Sequence, residues 1–240
     1  MTEAIREWVC MLAILTVREG CSLPQLRSAL AQQRASLQQR FGPHARVLLG
    51  TRRADDPFSA IGASQTRQIE SLDALLQVTW PITVTMDAIM RPLRGLGSEL
   101  SAMVDVAKSS LVLGRALVLV EMQGDVFCGF VGRRRPDLTV EQMRRHWLDI
   151  HAPLAIRLTG TVGMHGYVQV HVDRASSEAA STVAGLPFVP YDMGDSLEIP
   201  DLERFLQAFA DPEIGRQLYE DEKNFLDHSS WRGAFTDKIV

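Results

Sequence analysis

RRRPDLTVEQMRRHWLDIHAPLAIRLTGTVGMHGYVQVH, residues 133–171, reads as the end of one strand, a capped helix and a second strand, and ionisable side chains concentrate on it. Thr139 precedes Gln142 by three residues, the hydroxyl-to-amide spacing of a capping box. Met143, Trp147, His151 and Leu154 then recur at about four residues and share one helix face, which puts His151 on the buried side. His146, about 140° further round, is expected to be exposed. Pro153 has no N–H to give and clashes with the carbonyl four residues back, so the helix should kink or restart beside His151.

In the strand that follows, side chains alternate between faces. Val168, Val170 and Val172 share one face; His165, Tyr167, Gln169 and His171 share the other. The valines suit contact with helices, so the polar set is expected to point away from them. Further on, Asp192, Gly194, Ser196 and Glu198 alternate with Met193, Asp195, Leu197 and Ile199, and the Asp192 set could join the same polar face.

Outward from this stretch, the first half of the chain repeats its signals. Residues 8–17 form an apolar run rich in strand formers, as in a strand covered on both sides. Ser22-Leu-Pro-Gln25 opens a helix with Leu26, Leu30, Leu37 and Phe41 at helical spacing, and Gly42-Pro43 closes it. Strands follow at 46–51 and 75–80, a helix over 85–106 broken at Pro92, Gly95 and Gly97, and a strand at 111–122. Ser22 to Arg27 lines up with Thr139 to Arg144 at an offset of 117, which also carries Cys10 to Arg18 onto Phe127 to Arg135 and Gly114 to Gln123 onto Trp231 to Val240. The pattern predicts two ferredoxin-like βαββαβ repeats, an α+β fold, at 1–123 and 124–240. Two such sheets can pack their bare faces together, making a barrel within one chain and enclosing a cavity. The same offset pairs His151 with Arg34, Tyr167 with Gly50, His171 with Ala54 and Asp192 with Leu75. One site, in the second half, is therefore expected, with the first half closing the barrel.

Composition limits the function. With 46% hydrophobic and 22% charged residues and a net charge of -4, the chain is an ordinary globular protein without a basic footprint for nucleic acid. Its apolar run at 9–15 falls far short of the roughly 20 residues that span a bilayer, and no signal-peptide cleavage site follows it. Three cysteines without CxxC spacing signal neither a disulfide framework nor zinc, which fits a cytoplasmic setting. His151, His165, His171 and Asp192 lack metal-ligand spacing, and no cofactor is expected.

Each candidate has two readings. His151 is either a core histidine bonded to a carbonyl freed by Pro153 or an acid–base group, since an imidazole titrates near neutral pH. Tyr167 and Gln169 either line a cavity and pair across strands or contact substrate. Trp147 and Met143 read first as core, and His165 as a loop-edge residue.

RRRPDLTVEQMRRHWLDIHAPLAIRL, GYVQVHV, PYDMGDSLEI and DEKNFLD (221–227) together resemble the EthD family of the dimeric α/β-barrel superfamily. HWLDIHAPL is the specific part, and the likeness covers about 127–240. His146 stands where the family usually has an aromatic residue, and Met193 where it tends to have glycine. The resemblance implies a site between sheet and helices, with His151 and His171 at the family's histidine positions. It also implies roles in bacterial catabolism or polyketide pathways, with relatives that include cofactor-independent dehydratases and decarboxylases of aromatic polyketides.

The combined expectation is a cofactor-independent lyase or isomerase acting on a hydrophobic, oxygenated, cyclic or aromatic small molecule. In it His151 is general base or acid, His171 and Tyr167 are hydrogen-bond donors to a developing enolate, and Asp192 orients a histidine. Trp147, His165, Gln169, Ser196 and Glu198 would bind substrate. The alternatives are an accessory protein holding a hydrophobic metabolite for an oxygenase, and a cofactor-free monooxygenase. The partners expected are a small molecule and, through the helix faces, a second copy of the chain; nucleic acid and membrane are not.

Overall fold

A computed structural model of the chain describes residues 5–57, 70–121, 124–159, 166–209 and 211–240. In the first half, β1 (Arg6–Leu15), α1 (Leu23–Phe41), β2 (Arg46–Arg52) and a two-residue β3 (Glu70–Ser71) lead to β4 (Ala74–Pro81). Helices α2 (Met86–Leu93) and α3 (Leu96–Leu100) follow, then β5 (Ser110–Val120). Ser22 and Gln25 form the predicted capping box at the start of α1, and Gly42, at φ +89°, stops it where a residue with a Cβ would be strained. The second half runs β6 (Val126–Arg134), α4 (Val140–His146), a π-helical turn (Trp147–His151), α5 (Ala152–Thr159) and β7 (Tyr167–Val172). It continues through α6 (Arg174–Ala184), β8 (Met193–Ile199), α7 (Leu202–Phe209) and α8 (Pro212–Glu222) to β9 (Leu226–Lys238).

Eight strands pair antiparallel in the order β2-β4-β1-β5-β7-β8-β6-β9, and β9 returns to β2 through Gly50 opposite Lys238, closing a barrel. The short β3 lies parallel beside β9. Strands of the first half occupy one side of the barrel and those of the second half the other, and the two sides join at β5 with β7 and at β2 with β9. In the first half β4 and β1 are central and β2 and β5 lie at the margins; in the second, β8 and β6 are central and β7 and β9 lie at the margins.

The barrel interior is filled. Cys10, Leu12, Ile14, Leu75, Val112, Ala116, Phe127, Val131, Val168, Val170 and Val172 form one buried cluster drawn from both sides. Glycine makes room for it: a Cβ on Gly129 would lie 2.7 Å from Leu75 Cδ1. Two expectations are thereby corrected. Among the described residues the space between the sheets is filled by a largely apolar core rather than by the expected polar site, and the β7 valines face into it, so Tyr167, Gln169 and His171 face the helices. Both faces of β7 are buried, and the faces sort by partner: a barrel interior in which side chains from opposing strands meet takes valine. On the other face of β7, Gln169 reaches the helical layer through its bond to the Trp147 carbonyl.

Helix α6, in the connection between β7 and β8, falls outside the βαββαβ pattern. Its Ala180 and Ala184 join Leu26, Leu30, Leu76 and Ile89 in the helix-side core of the first half. Gly97 brings α3 close to it; a Cβ there would sit 2.8 Å from the Gly185 carbonyl oxygen. No described helix is long and apolar enough to cross a membrane.

Candidate functional site

Thr139 and Gln142 form the capping box that starts α4, and seven residues later the helix loosens into the π turn. There the Ala152 N–H donates to the Trp147 carbonyl five residues back rather than four. Pro153 accounts for this, as the extra residue relieves its ring of the clash an α-helix would impose. The restart expected beside His151 therefore occurs at Ala152. The same Trp147 carbonyl accepts a second hydrogen bond, 3.0 Å from Gln169 Nε2 on β7.

His151 is 8% exposed. Its Nδ1 lies 2.8 Å from Asp221 Oδ2 on α8, and His146 Nε2 lies 2.8 Å from Asp221 Oδ1, so one carboxylate spans two imidazoles. Burial alone would raise the Asp221 carboxyl, but the hydrogen bonds from His151 and His146 outweigh it and hold the group below the usual carboxylate range. An ionised Asp221 accepts from both rings, which places a proton on His151 Nδ1 and leaves Nε2 as the ring nitrogen turned away from the carboxylate. Phe225 lies against both rings, with centroids 5.3 Å from His146 and 5.1 Å from His151. His146 is thus half-buried in this cluster, not exposed: α8 and the segment after it return over that face of α4.

A second set lies on β7. Gln169 Nε2 donates to Tyr167 Oη at 3.0 Å, and Gln169 Oε1 accepts from His171 Nε2 at 3.2 Å. His171 stacks on Trp147 with centroids 5.2 Å apart and planes 20° apart. Burial, then the charges of Arg144 and Arg115, lower the His171 imidazole from 6.5 to about 4, so it is neutral at neutral pH. Burial, then the nearby Asp195 carboxyl, raises the Tyr167 phenol, which keeps its proton. Tyr167 Oη accepts from Gln169 and also meets the Trp147 side chain. A third pair, His228 Nε2 and Glu222 Oε2 at 3.2 Å, adjoins Trp231 and Tyr219.

His151, Trp147, Tyr167, Gln169 and His171 therefore come together in the layer between the second sheet and its helices. Three other expected residues do not. Asp192 is 1% exposed, and its carboxylate is held by Arg134 at 3.1 Å and Arg174 at 2.8 Å. It orients no histidine; Asp221 does. Ser196 and Glu198 are paired in register with Val168 and Phe127 and point with them into the barrel. There Glu198 pairs with Lys238 at 2.9 Å and Arg46 at 3.2 Å. His165 lies outside the described residues. Among the described residues no three His, Cys, Asp or Glu side chains form a metal-holding group.

Asp221 was legible only within the DEKNFLD likeness, because the histidines it serves lie 75 and 70 residues earlier. The first half has no counterpart to this polar layer among its described residues. Its helix side is packed with Met11, Leu15, Leu30, Leu49, Leu76, Val78 and Trp80.

Residues 135–229 match the EthD domain. Dehydratase ustZ of Ustilaginoidea virens is 25% identical over 100 residues, covering 40% of this chain and 71% of that protein. Among solved structures, a chlorite dismutase variant from Candidatus Nitrospira defluvii aligns with a TM-score of 0.52 at 9% identity, over 97% of this chain and 92% of that one. A monooxygenase-like protein from Lactobacillus acidophilus aligns at 0.50 and 8% identity, over 98% and 95%. At such identities these two structures speak for the barrel fold alone.

Proposed function

We propose that this chain, whose second half carries an EthD domain, is a cofactor-independent lyase of the dehydratase type. Its substrate class would be hydrophobic, oxygenated, cyclic or aromatic small molecules. The observation that carries the reading is the His151–Asp221 hydrogen bond of 2.8 Å, which leaves Nε2 of a nearly buried imidazole as a proton acceptor. In the proposed reaction Nε2 takes the proton beside a substrate carbonyl, and Asp221 stabilises the imidazolium that forms. The Tyr167 phenol, positioned by Gln169, donates to the oxygen of the developing enolate. Neutral His171 and Trp147 form the adjoining wall. The dehydratase relative favours loss of water over loss of carbon dioxide.

An accessory role in binding alone would suit histidines tied only to backbone carbonyls, and here both are bonded to side chains. The same reading takes 1–123 and 124–240 as two copies of one unit, the first keeping the scaffold. A cytoplasmic setting belongs to it too, given the three free cysteines.

β-Hydroxytetralone tests the reading, because loss of water turns it into fluorescent naphthol. The wild type should convert it, and His151→Ala should lower turnover by about 10²–10⁴-fold with an unchanged circular dichroism spectrum. No conversion by the wild type, or full activity in the variant, overturns the proposal.

A further inference from the structure

One carboxyl of this layer is not used above. Asp195, on the helix side of β8, stands opposite Gln169 on β7 and Phe130 on β6. Its Oδ1 is buried and has no hydrogen-bond partner, although the residue as a whole is only half-buried. An orphaned carboxyl oxygen is costly unless the group is neutral or is kept for a ligand. The other acidic groups of the layer differ, since Asp221 holds two histidines and Glu222 bonds to His228. Asp195 also borders a small apolar crevice of about 10 Å³ shared with Phe130, Met193 and Trp231.

We infer that Asp195 is the acid of the site, giving its proton to the oxygen that leaves the substrate. The inference rests on the lyase reading and supplies what that reading lacks, a donor for the departing hydroxyl. Burial, then the Glu222 charge, raises the Asp195 carboxyl well above the usual carboxylate range, which favours its protonated form. A buried carboxylic acid held neutral in this way is a recognised hydrogen-bond and proton donor. The step balances: His151 Nε2 takes the proton beside the carbonyl, and the freed electron pair becomes the new C=C bond. The C–O bond breaks, and the oxygen departs as water with the Asp195 proton. The imidazolium then returns a proton to Asp195 through solvent.

Asp195→Asn keeps the size and polarity of the side chain but cannot give up a proton. With β-hydroxytetralone it should turn over at least about 100-fold more slowly than wild type. With β-acetoxytetralone, whose acetate leaves without a proton, it should stay within about threefold of wild type, whereas His151→Ala loses both activities. Equal losses on the two substrates, or full activity on the first, would overturn the assignment. If wild type converts neither compound, the lyase reading itself fails. The infrared difference spectrum between wild type and Asp195→Asn at pH 7 then judges the acid alone: a protonated carboxyl band supports it, and a carboxylate band sinks it.

Discussion

His171 should make the protein sensitive to acid in a window that can be calculated. Its imidazole titrates near 6.5 when exposed in the unfolded chain and at about 4 in the folded one, because burial and then Arg144 and Arg115 disfavour its charge. Between those values the unfolded state binds the extra proton, so stability rises with pH across the window. Above pH 6.5 both states are neutral and the group contributes nothing. As the pH falls to 4 the penalty grows to about 3 kcal/mol, taking about 1.4 kcal/mol per pKa unit. His171→Phe keeps a ring on Trp147 and removes the titration, at the cost of the bond to Gln169 Oε1. Urea unfolding at pH 7 and pH 4 in both proteins isolates the effect. The wild type should lose about 3 kcal/mol more than the variant between the two pH values, even if the variant is less stable at pH 7. Parallel losses would mean that His171 is free to protonate in the folded state, which would refute its burial against Trp147.

Other consequences of the packing are open to the same kind of measurement. Asp192→Ala strands Arg134 and Arg174 and should cost about 3 kcal/mol in chemical denaturation while sparing turnover per folded molecule; the reverse pattern would return Asp192 to the site. Gly129→Val drives a side chain into Leu75 and should cost about 1–3 kcal/mol, read as a lowered melting temperature, and an unchanged melting temperature would mean that the barrel interior is looser than described. A chain of residues 124–240 alone leaves β7 and β9 unpaired at their outer edges and bares Ala180 and Ala184 on α6, so it should show no cooperative thermal transition. A sharp one would make the second half self-sufficient.

Much of this molecule is legible in its sequence because the decisive signals are local. Both capping boxes, the stop at Gly42 and the disturbance before Pro153 depend on residues within a few positions of one another. Alternation also sorted β7 correctly into two sets, yet period two does not say which set meets which neighbour. That ambiguity is harmless when one face meets water, and it reversed the assignment here, where helices cover one face and a barrel the other. The carboxylates went astray for a related reason. Alternation groups Asp192 with Ser196 and Glu198 as a polar set and so points it at a histidine, whereas Asp221 reaches His146 and His151 only after α8 folds back. Asp195 belongs to the alternating set with Met193 and Leu197, and that is the face on which Gln169 and Tyr167 lie.

The closure of β2 on β9 bears on how the chain acquires its shape during synthesis. Residues 50–52 meet residues 236–238, so the last seam must wait until nearly the whole of this sequence has left the ribosome. Until then β2 and β5 present unpaired margins, and the first-half core lacks the cover that α6 brings. Contacts this distant in sequence slow folding, and waiting margins invite pairing with the wrong chain. Yield on refolding from denaturant should accordingly fall steeply with protein concentration, while the finished barrel, its strands paired all round, offers little for a neighbour to add to.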